Sequence, residues 1–346
     1  LLCILANSTV GSLLPRLFNI TNNDIRPSLS ASTTVFLQMV LHRPVTGQGL
    51  ERFEDAWALY KPAAVTATPY WDARFPHAFG ILPTLFVTSG ILGTLALLFF
   101  LISFIWFGWK NLFIRTADKV TQYLLFTSFS GAVVSWVIVA IATPGFVVYT
   151  LAFVFSGVFL GLVYRDKQHL WKTYGFINDP RTSFFSILGI MFVFAAVLFG
   201  GLTFTRQYIA EAYITKSVAY AQNTPDLARA ERTARLAVRW FDTGLAHKSL
   251  ARVSLLELGA LAKNESISAD ALKPELQKLV STVESEALAA VSTDKKNADN
   301  WIFLGSAYDV LQGFGVTGAY ESGKNAYTQA MVYAPKNPGI YLNLAT

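Results

Sequence analysis

The chain has 346 residues, 53% of them hydrophobic and only 14% charged, with a formal net charge of +6. Soluble domains carry about 25% charged residues, so a protein this apolar is not soluble along its whole length. The single cysteine, Cys3, excludes an internal disulfide and a thiolate metal cluster, and its ordinary role is a small apolar side chain.

Residues 1–6, LLCILA, read as the end of an apolar helix with no basic leader and no cleavage site. The expectation is that residues 1–19 close an upstream membrane helix and its juxtamembrane segment. Residues 20–80 form a polar loop with five basic residues (Arg26, Arg43, Arg52, Lys61, Arg74) against five acidic ones (Asp24, Glu51, Glu54, Asp55, Asp72). The loop is therefore not a basic patch, and any anion site in it is local. Leu50, Phe53, Trp57 and Tyr60 recur at helical spacing and predict a short amphipathic helix closed by Pro62. Its aromatic face suits either the lipid surface or packing against neighbouring helices. Arg52 fits a solvated helix face, and Arg43 and Lys61 fit residues that snorkel at an interface.

Four stretches, 81–108, 122–143, 146–164 and 183–204, meet the ~20 apolar residues that a spanning helix needs. The first is long enough to tilt. Thr143, Pro144 and Gly145 make a tight hairpin between the second and third. Lys110, Arg115 and Lys119 fall between spans one and two, and Arg165, Lys167, Lys172 and Arg181 between spans three and four. By the positive-inside rule both loops are cytoplasmic, which puts residues 20–80 and everything after 204 outside. Trp106, Trp109 and Trp171 suit the aromatic belt. The span interiors hold no Asp, Glu, Lys or Arg, which disfavours an ion or proton pathway. The net positive charge thus reflects membrane topology, and no basic patch interleaved with stacking aromatics points to nucleic acid.

Residues 205–346 carry 15 Lys and Arg against 14 Asp and Glu and read as a soluble half. Trp301, Leu304, Gly305 and Tyr308 spell W-x2-L-G-x2-Y, the first-helix signature of a tetratricopeptide repeat, and Tyr327, Ala330 and Pro335 fit its second helix. The extra length between them falls in residues 312–322, which hold three glycines. Tyr341, Leu344 and Ala345 open a further helix, and Ala290 fits the small position of a preceding repeat. Residues 225–262 read as another helix pair, with Leu236, Val238, Phe241 and Leu245 apolar. The fold class is all-α: transmembrane helices followed by a helical repeat domain. Such repeats bury their faces only against neighbours and mostly bind peptides or proteins, or serve as spacers.

The most motif-like part is Pro44-x2-Gly47-x-Gly49-x3-Phe53, followed in the same loop by His77 and then by a span containing Gly90-Ile91-Leu92-Gly93. This combination over residues 20–110 resembles the O-antigen ligase superfamily, ligases and polymerases that act on lipid-linked glycans. Where that family has His-Asn, this chain has His77-Ala78. The resemblance implies glycan transfer, at the outer face of the cytoplasmic membrane, from a polyprenyl-diphosphate donor to an acceptor hydroxyl. It implies no cofactor. A diphosphate leaving group needs positive charge, which arginine forks supply well. The acceptor hydroxyl needs a base, a role suited to histidine. The resemblance assigns the base to His77, with a merely hydrogen-bonded loop histidine as the alternative; among the cations of the loop, Arg26 (just before Pro27) and Arg74 (three residues before His77) are the preferred catalytic candidates, and Arg43, Lys61 and Arg52 the candidates for substrate binding.

Other chemistry lacks its signature. His42, His77, His169 and His247 have no metal-ligand spacing. Gly47-Gln48-Gly49 lacks the Lys-Ser/Thr of a phosphate loop. Two functions remain open. One is the glycan ligase, with the lipid bilayer and a lipid-linked glycan as partners. The other is a non-catalytic anchor whose helical domain recruits an exterior protein or peptide. A transporter fragment is disfavoured by the uncharged spans.

Overall fold

The computed structural model describes residues 26–112, 118–142, 145–166, 180–223, 226–263 and 269–345. Residues 1–19, Asp24, Arg115, Lys167, His169, Trp171, Lys172 and the turn residues Thr143 and Pro144 lie outside the described residues. The chain is all-α, with no strand among the described residues. It divides into two compact units. The first takes in Leu1–Glu54, Phe75–Leu112 and Phe126–Ser156, and the second Asp55–Arg74, Phe113–Leu125 and Gly157–Thr346.

Helix α1 (Leu29–His42) is capped by Ser28, whose hydroxyl accepts from the Ala31 amide at 3.1 Å. Its 14 residues reach about 21 Å, short of a ~30 Å hydrocarbon core. Ala31, Val35 and Met39 are buried on one face, while Leu37 and Leu41 are exposed on another. The expected amphipathic helix is α2 (Phe53–Tyr60), which starts later than the pattern suggests: Leu50 sits in the preceding turn and is exposed. Phe53 and Trp57 are both buried in protein, so these two rings pack rather than lie on lipid. A single turn, α3 (Ala63–Thr66), follows.

Helix α4 (Ile81–Leu112), α5 (Lys119–Ala142), α6 (Phe146–Asp166) and α7 (Pro180–Asn223) carry the four candidate spans at the four places expected. One expectation changes. The first span is not a single tilted rod, because α4 breaks at Gly90 (φ 67, ψ −162). Residues 91–112 alone reach about 33 Å and suffice to cross. Within the first unit the spans interlock through rings: the Phe100 centroid lies 5.6 Å from that of Trp136, and Trp136 5.0 Å from Phe153. The Trp136 indole donates to the Ser156 hydroxyl at 3.1 Å, a buried bond between α5 and α6. At the far end of α4 the Lys110 ammonium sits 3.8 Å from the Trp106 ring centroid, an arrangement suited to a membrane–water boundary.

Helix α7 runs 44 residues without interruption. The change of composition at residue 205 therefore falls inside a helix and not in a linker. Beyond it come α8 (Leu227–Trp240), α9 (Gly244–Ala262), α10 (Ala269–Thr293), α11 (Ala298–Gly313), α12 (Ala319–Tyr333) and α13 (Pro338–Ala345), each packed on the next. Side-chain caps at Asp226, Thr243 and Asn297 start α8, α9 and α11. The pair expected at residues 225–262 is present as α8 and α9, and the residues it buries most completely are not the large apolar ones noted in the sequence. Ala230, Ala234 and Ala237 are fully buried, whereas Leu236 and Leu245 are exposed. In the pair α11–α12 a small residue faces a large one: a Cβ on Gly305 would lie 2.6 Å from the Tyr327 ring. Tyr327, Ala326 and Ala330 are buried, and the Tyr327 hydroxyl donates to the Asp309 carboxylate. The connecting residues 314–318 fall in the glycine-bearing window expected to hold the extra length.

Candidate functional site

In the first unit the two glycine motifs meet. The break at Gly90 deprives the carbonyls of Val87 and Thr88 and the amide of Ile91 of their helical partners. The loop after α1 replaces them: Gln48 N–H donates to Val87 O at 2.7 Å, Gly49 N–H to Thr88 O at 2.9 Å, and Ile91 N–H to Pro44 O at 2.8 Å. Backbone polar groups beside an apolar span must be satisfied by protein, and this loop does so. The approach demands glycine on both sides. Gly47 has φ +66, and a Cβ there would lie 2.7 Å from Gly90 N and from the Thr88 carbonyl. A Cβ on Gly90 would run into the Val45 carbonyl. The Gly-x-Gly run and the Gly-Ile-Leu-Gly turn are thus two halves of one clasp around a broken helix.

His77 precedes this span and is exposed. The backbone just after it is pinned by two hydroxyls that the sequence did not single out. Ala78 N–H donates to Thr84 Oγ1 at 3.0 Å, and Thr84 donates on to Gly80 O at 2.7 Å. Phe79 N–H donates to the buried Ser32 hydroxyl of α1 at 2.9 Å. Small hydroxyls on otherwise apolar helix faces were the available signal for both. Arg26 and Arg43 are exposed and Arg52 half-buried, all in this same unit.

Lys61 and Arg74 belong to the second unit, where both hold residues 61–74 against the helical region. Lys61 is 4% exposed; its ammonium donates to Trp71 O at 2.6 Å, and its own carbonyl accepts from Lys336 Nζ at 3.0 Å. Burial pushes the Lys61 ammonium pKa down, only partly offset by the Asp72 carboxylate. The Arg74 guanidinium pairs with Asp299 of α11, whose other oxygen accepts from the buried Lys248 of α9 at 2.7 Å. Burial raises the Asp299 pKa, but Lys248 and Arg74 outweigh it and hold the carboxyl below its usual range. Lys248 is pushed down by burial despite Asp299. Asp299 lies 225 residues from Arg74 and Lys336 275 from Lys61, so no local pattern announces these two contacts.

These contacts also bear on topology. Residues 61–74 touch residues 299 and 336, so both stretches lie on one side of any membrane the chain crosses. That requires an even number of crossings between them, which the four candidate spans provide. Among the described residues no cluster of three His, Cys, Asp or Glu could hold a metal ion. The fold is all-α with a paired-helix region, and its four candidate spans suggest a multi-pass membrane protein. No model of a known family matches the chain, and no curated protein matches it.

Proposed function

We propose that the protein is a membrane glycan ligase or polymerase of the O-antigen ligase type, acting where residues 20–80 meet the outer surface of the cytoplasmic membrane. The observation that carries the reading is the clasp. Two short glycine motifs that mark the resemblance separately in sequence form one contact, at the mouth of a span that directly follows His77. In the proposed reaction the acceptor hydroxyl oxygen bonds to the anomeric carbon of the donor glycan. The bond from that carbon to the diphosphate oxygen breaks, and its electron pair leaves with the polyprenyl diphosphate. His77 takes the hydroxyl proton, while Arg26, Arg43 and Arg52 of the same unit neutralise the diphosphate. Arg74 and Lys61, candidates for catalysis and binding in the sequence, act here by fixing the loop to the helical region. The cations Lys110, Lys119 and Arg181 at the ends of α4, α5 and α7 support the orientation.

The paired helices are read as a tetratricopeptide-like domain on the same outer side. The Gly305–Tyr327 contact supports this. The test is transfer of a fluorescent oligosaccharide from a polyprenyl-diphosphate carrier in proteoliposomes. His77→Ala lowers turnover by ~10²–10⁴-fold, the usual weight of a general base; unchanged turnover sinks the assignment. A second reading, an anchor for an exterior protein or peptide, is favoured by α7, which joins span to paired helices as one helix. A protein that captures a defined exterior partner and transfers no glycan supports that reading instead.

A further inference from the structure

A cleft of about 380 Å³ opens in the second unit between residues 71–74, α11 and the start of α13. Its size falls within the usual range of small-ligand sites. One wall is Trp71, and the polar groups around it are Asp72, Arg74, Asp299, Asn337 and Asn343.

The walls are held in place before any ligand arrives. Lys336 grips the Lys61 carbonyl, and Lys61 grips the Trp71 carbonyl. The edge of the Trp71 ring rests on Gly339, where a Cβ would lie 3.0 Å from two ring carbons. Asn337 is 8% exposed, and its side-chain oxygen accepts from Gly339 N–H at 3.0 Å, which directs the amide. Preorganised walls of this kind lower the ordering cost of binding.

The charges select the ligand. Arg74 and Asp299 pair with one another and Lys248 backs Asp299, so the cleft presents no unmatched cation for a phosphate. An apolar helix laid here would strip water from Asp72 and from the Arg74–Asp299 pair without replacing it. What remains is an indole surface ringed by planar donors and acceptors. A pyranose has an apolar C–H face and a rim of hydroxyls, each both donor and acceptor, and it matches that arrangement.

We propose that this cleft binds a neutral segment of a glycan strand. The glycan class rests on the ligase reading for its biological source, but binding is independent of the chemistry at His77. The test uses the full chain in lipid nanodiscs and saturation-transfer NMR with cello-, malto- and chito-hexaose as probes. Leu342, at 67% exposure on the cleft wall, is replaced in Leu342→Trp to fill the opening. Asp72→Ala removes one exposed carboxylate from the cleft; because that carboxylate also acts on the buried Lys61, the melting temperature is recorded beside binding. The proposal expects at least one hexaose to bind, and both variants to weaken it tenfold or more at an unchanged melting temperature. It is overturned if none of the three binds, if both variants bind as the parent does, or if a hydrophobic decapeptide binds instead and is displaced by Leu342→Trp. His77→Ala must leave sugar binding unchanged even where it abolishes transfer. Failure of the ligase reading therefore shows as intact transfer in that variant, and failure of this one as lost or absent sugar binding.

Discussion

The clasp leaves no room for a side chain at Gly47. In Gly47→Ala the new Cβ would lie 2.7 Å from Gly90 N and from both atoms of the Thr88 carbonyl. These are backbone atoms and cannot swing aside. Ordinary contact needs about 3.5 Å, so the loop must retreat by about 0.8 Å. That stretches the 2.7 Å bond from Gln48 and the 2.9 Å bond from Gly49 past useful length. Two buried carbonyls are then left unsatisfied at ~1–3 kcal/mol each. The φ of +66 adds ~1 kcal/mol for a residue with a Cβ. The total is roughly 3–7 kcal/mol. Hydrogen exchange in nanodiscs reads it directly: protection of the Gln48, Gly49 and Ile91 amides falls a hundredfold or more. Gly49→Ala separates the two effects: its Cβ meets only the flexible Arg52 side chain at 3.1 Å, so its cost comes from the φ of +120 and not from a backbone clash. Gly145→Ala, with open space around it, changes nothing at the clasp. Wild-type protection in Gly47→Ala would refute the clasp.

The helical region gives three further predictions. His247 donates from Nδ1 to Glu286 at 2.6 Å and from Nε2 to Asp242 at 2.7 Å, and these carboxylates raise its pKa against the opposing effect of burial. Its stabilisation is complete below ~6.5, the unfolded value, and is lost as pH rises through the higher folded value. Glu257, pushed up to about 7 mainly by burial, acts with the same sign between ~4.5 and 7. Thermal melts should therefore show this region more stable at pH 6 than at pH 8.5, with a shallower slope in His247→Gln; a flat profile in the parent contradicts this. Asp299→Ala leaves Lys248 buried without its carboxylate and should cost ~2–4 kcal/mol by chemical denaturation, whereas Arg74→Ala, being more exposed, should cost under ~1 kcal/mol. Gly305→Val drives a side chain into the Tyr327 ring and should destabilise α11 against α12 by ~1–3 kcal/mol, read as faster exchange of their amides.

The features legible in the sequence were those written in local pattern. Unbroken apolar runs marked the spans, and W-x2-L-G-x2-Y marked a close helix pair because Gly305 must admit a ring. Three features had no local mark. The break at Gly90 sits in an apolar run, where hydropathy averages over it, and its repair comes from residues more than 40 positions earlier. Helix α7 passes through residue 205 because a change from apolar to polar side chains leaves helical hydrogen bonding intact. The alanine core of α8 was hidden behind larger but exposed leucines, since close helix approach rewards small residues over hydrophobic ones. For the candidate site, residue type and motif put forward His77 and the loop arginines as candidates. It did not reveal that Arg74 and Lys61 anchor their loop, because Asp299, Lys248 and Lys336 come from distant helices.

The central claim is that His77, held beside the clasped span, is the base for glycan transfer. The most direct measurement is the rate of oligosaccharide transfer from a polyprenyl-diphosphate carrier by the full chain in proteoliposomes, parent against His77→Ala. Exchange protection at Gln48, Gly49 and Ile91 is recorded on the same samples. The account predicts a fall in transfer of at least a hundredfold with the clasp amides still protected. Transfer at the parental rate with the clasp intact would contradict it.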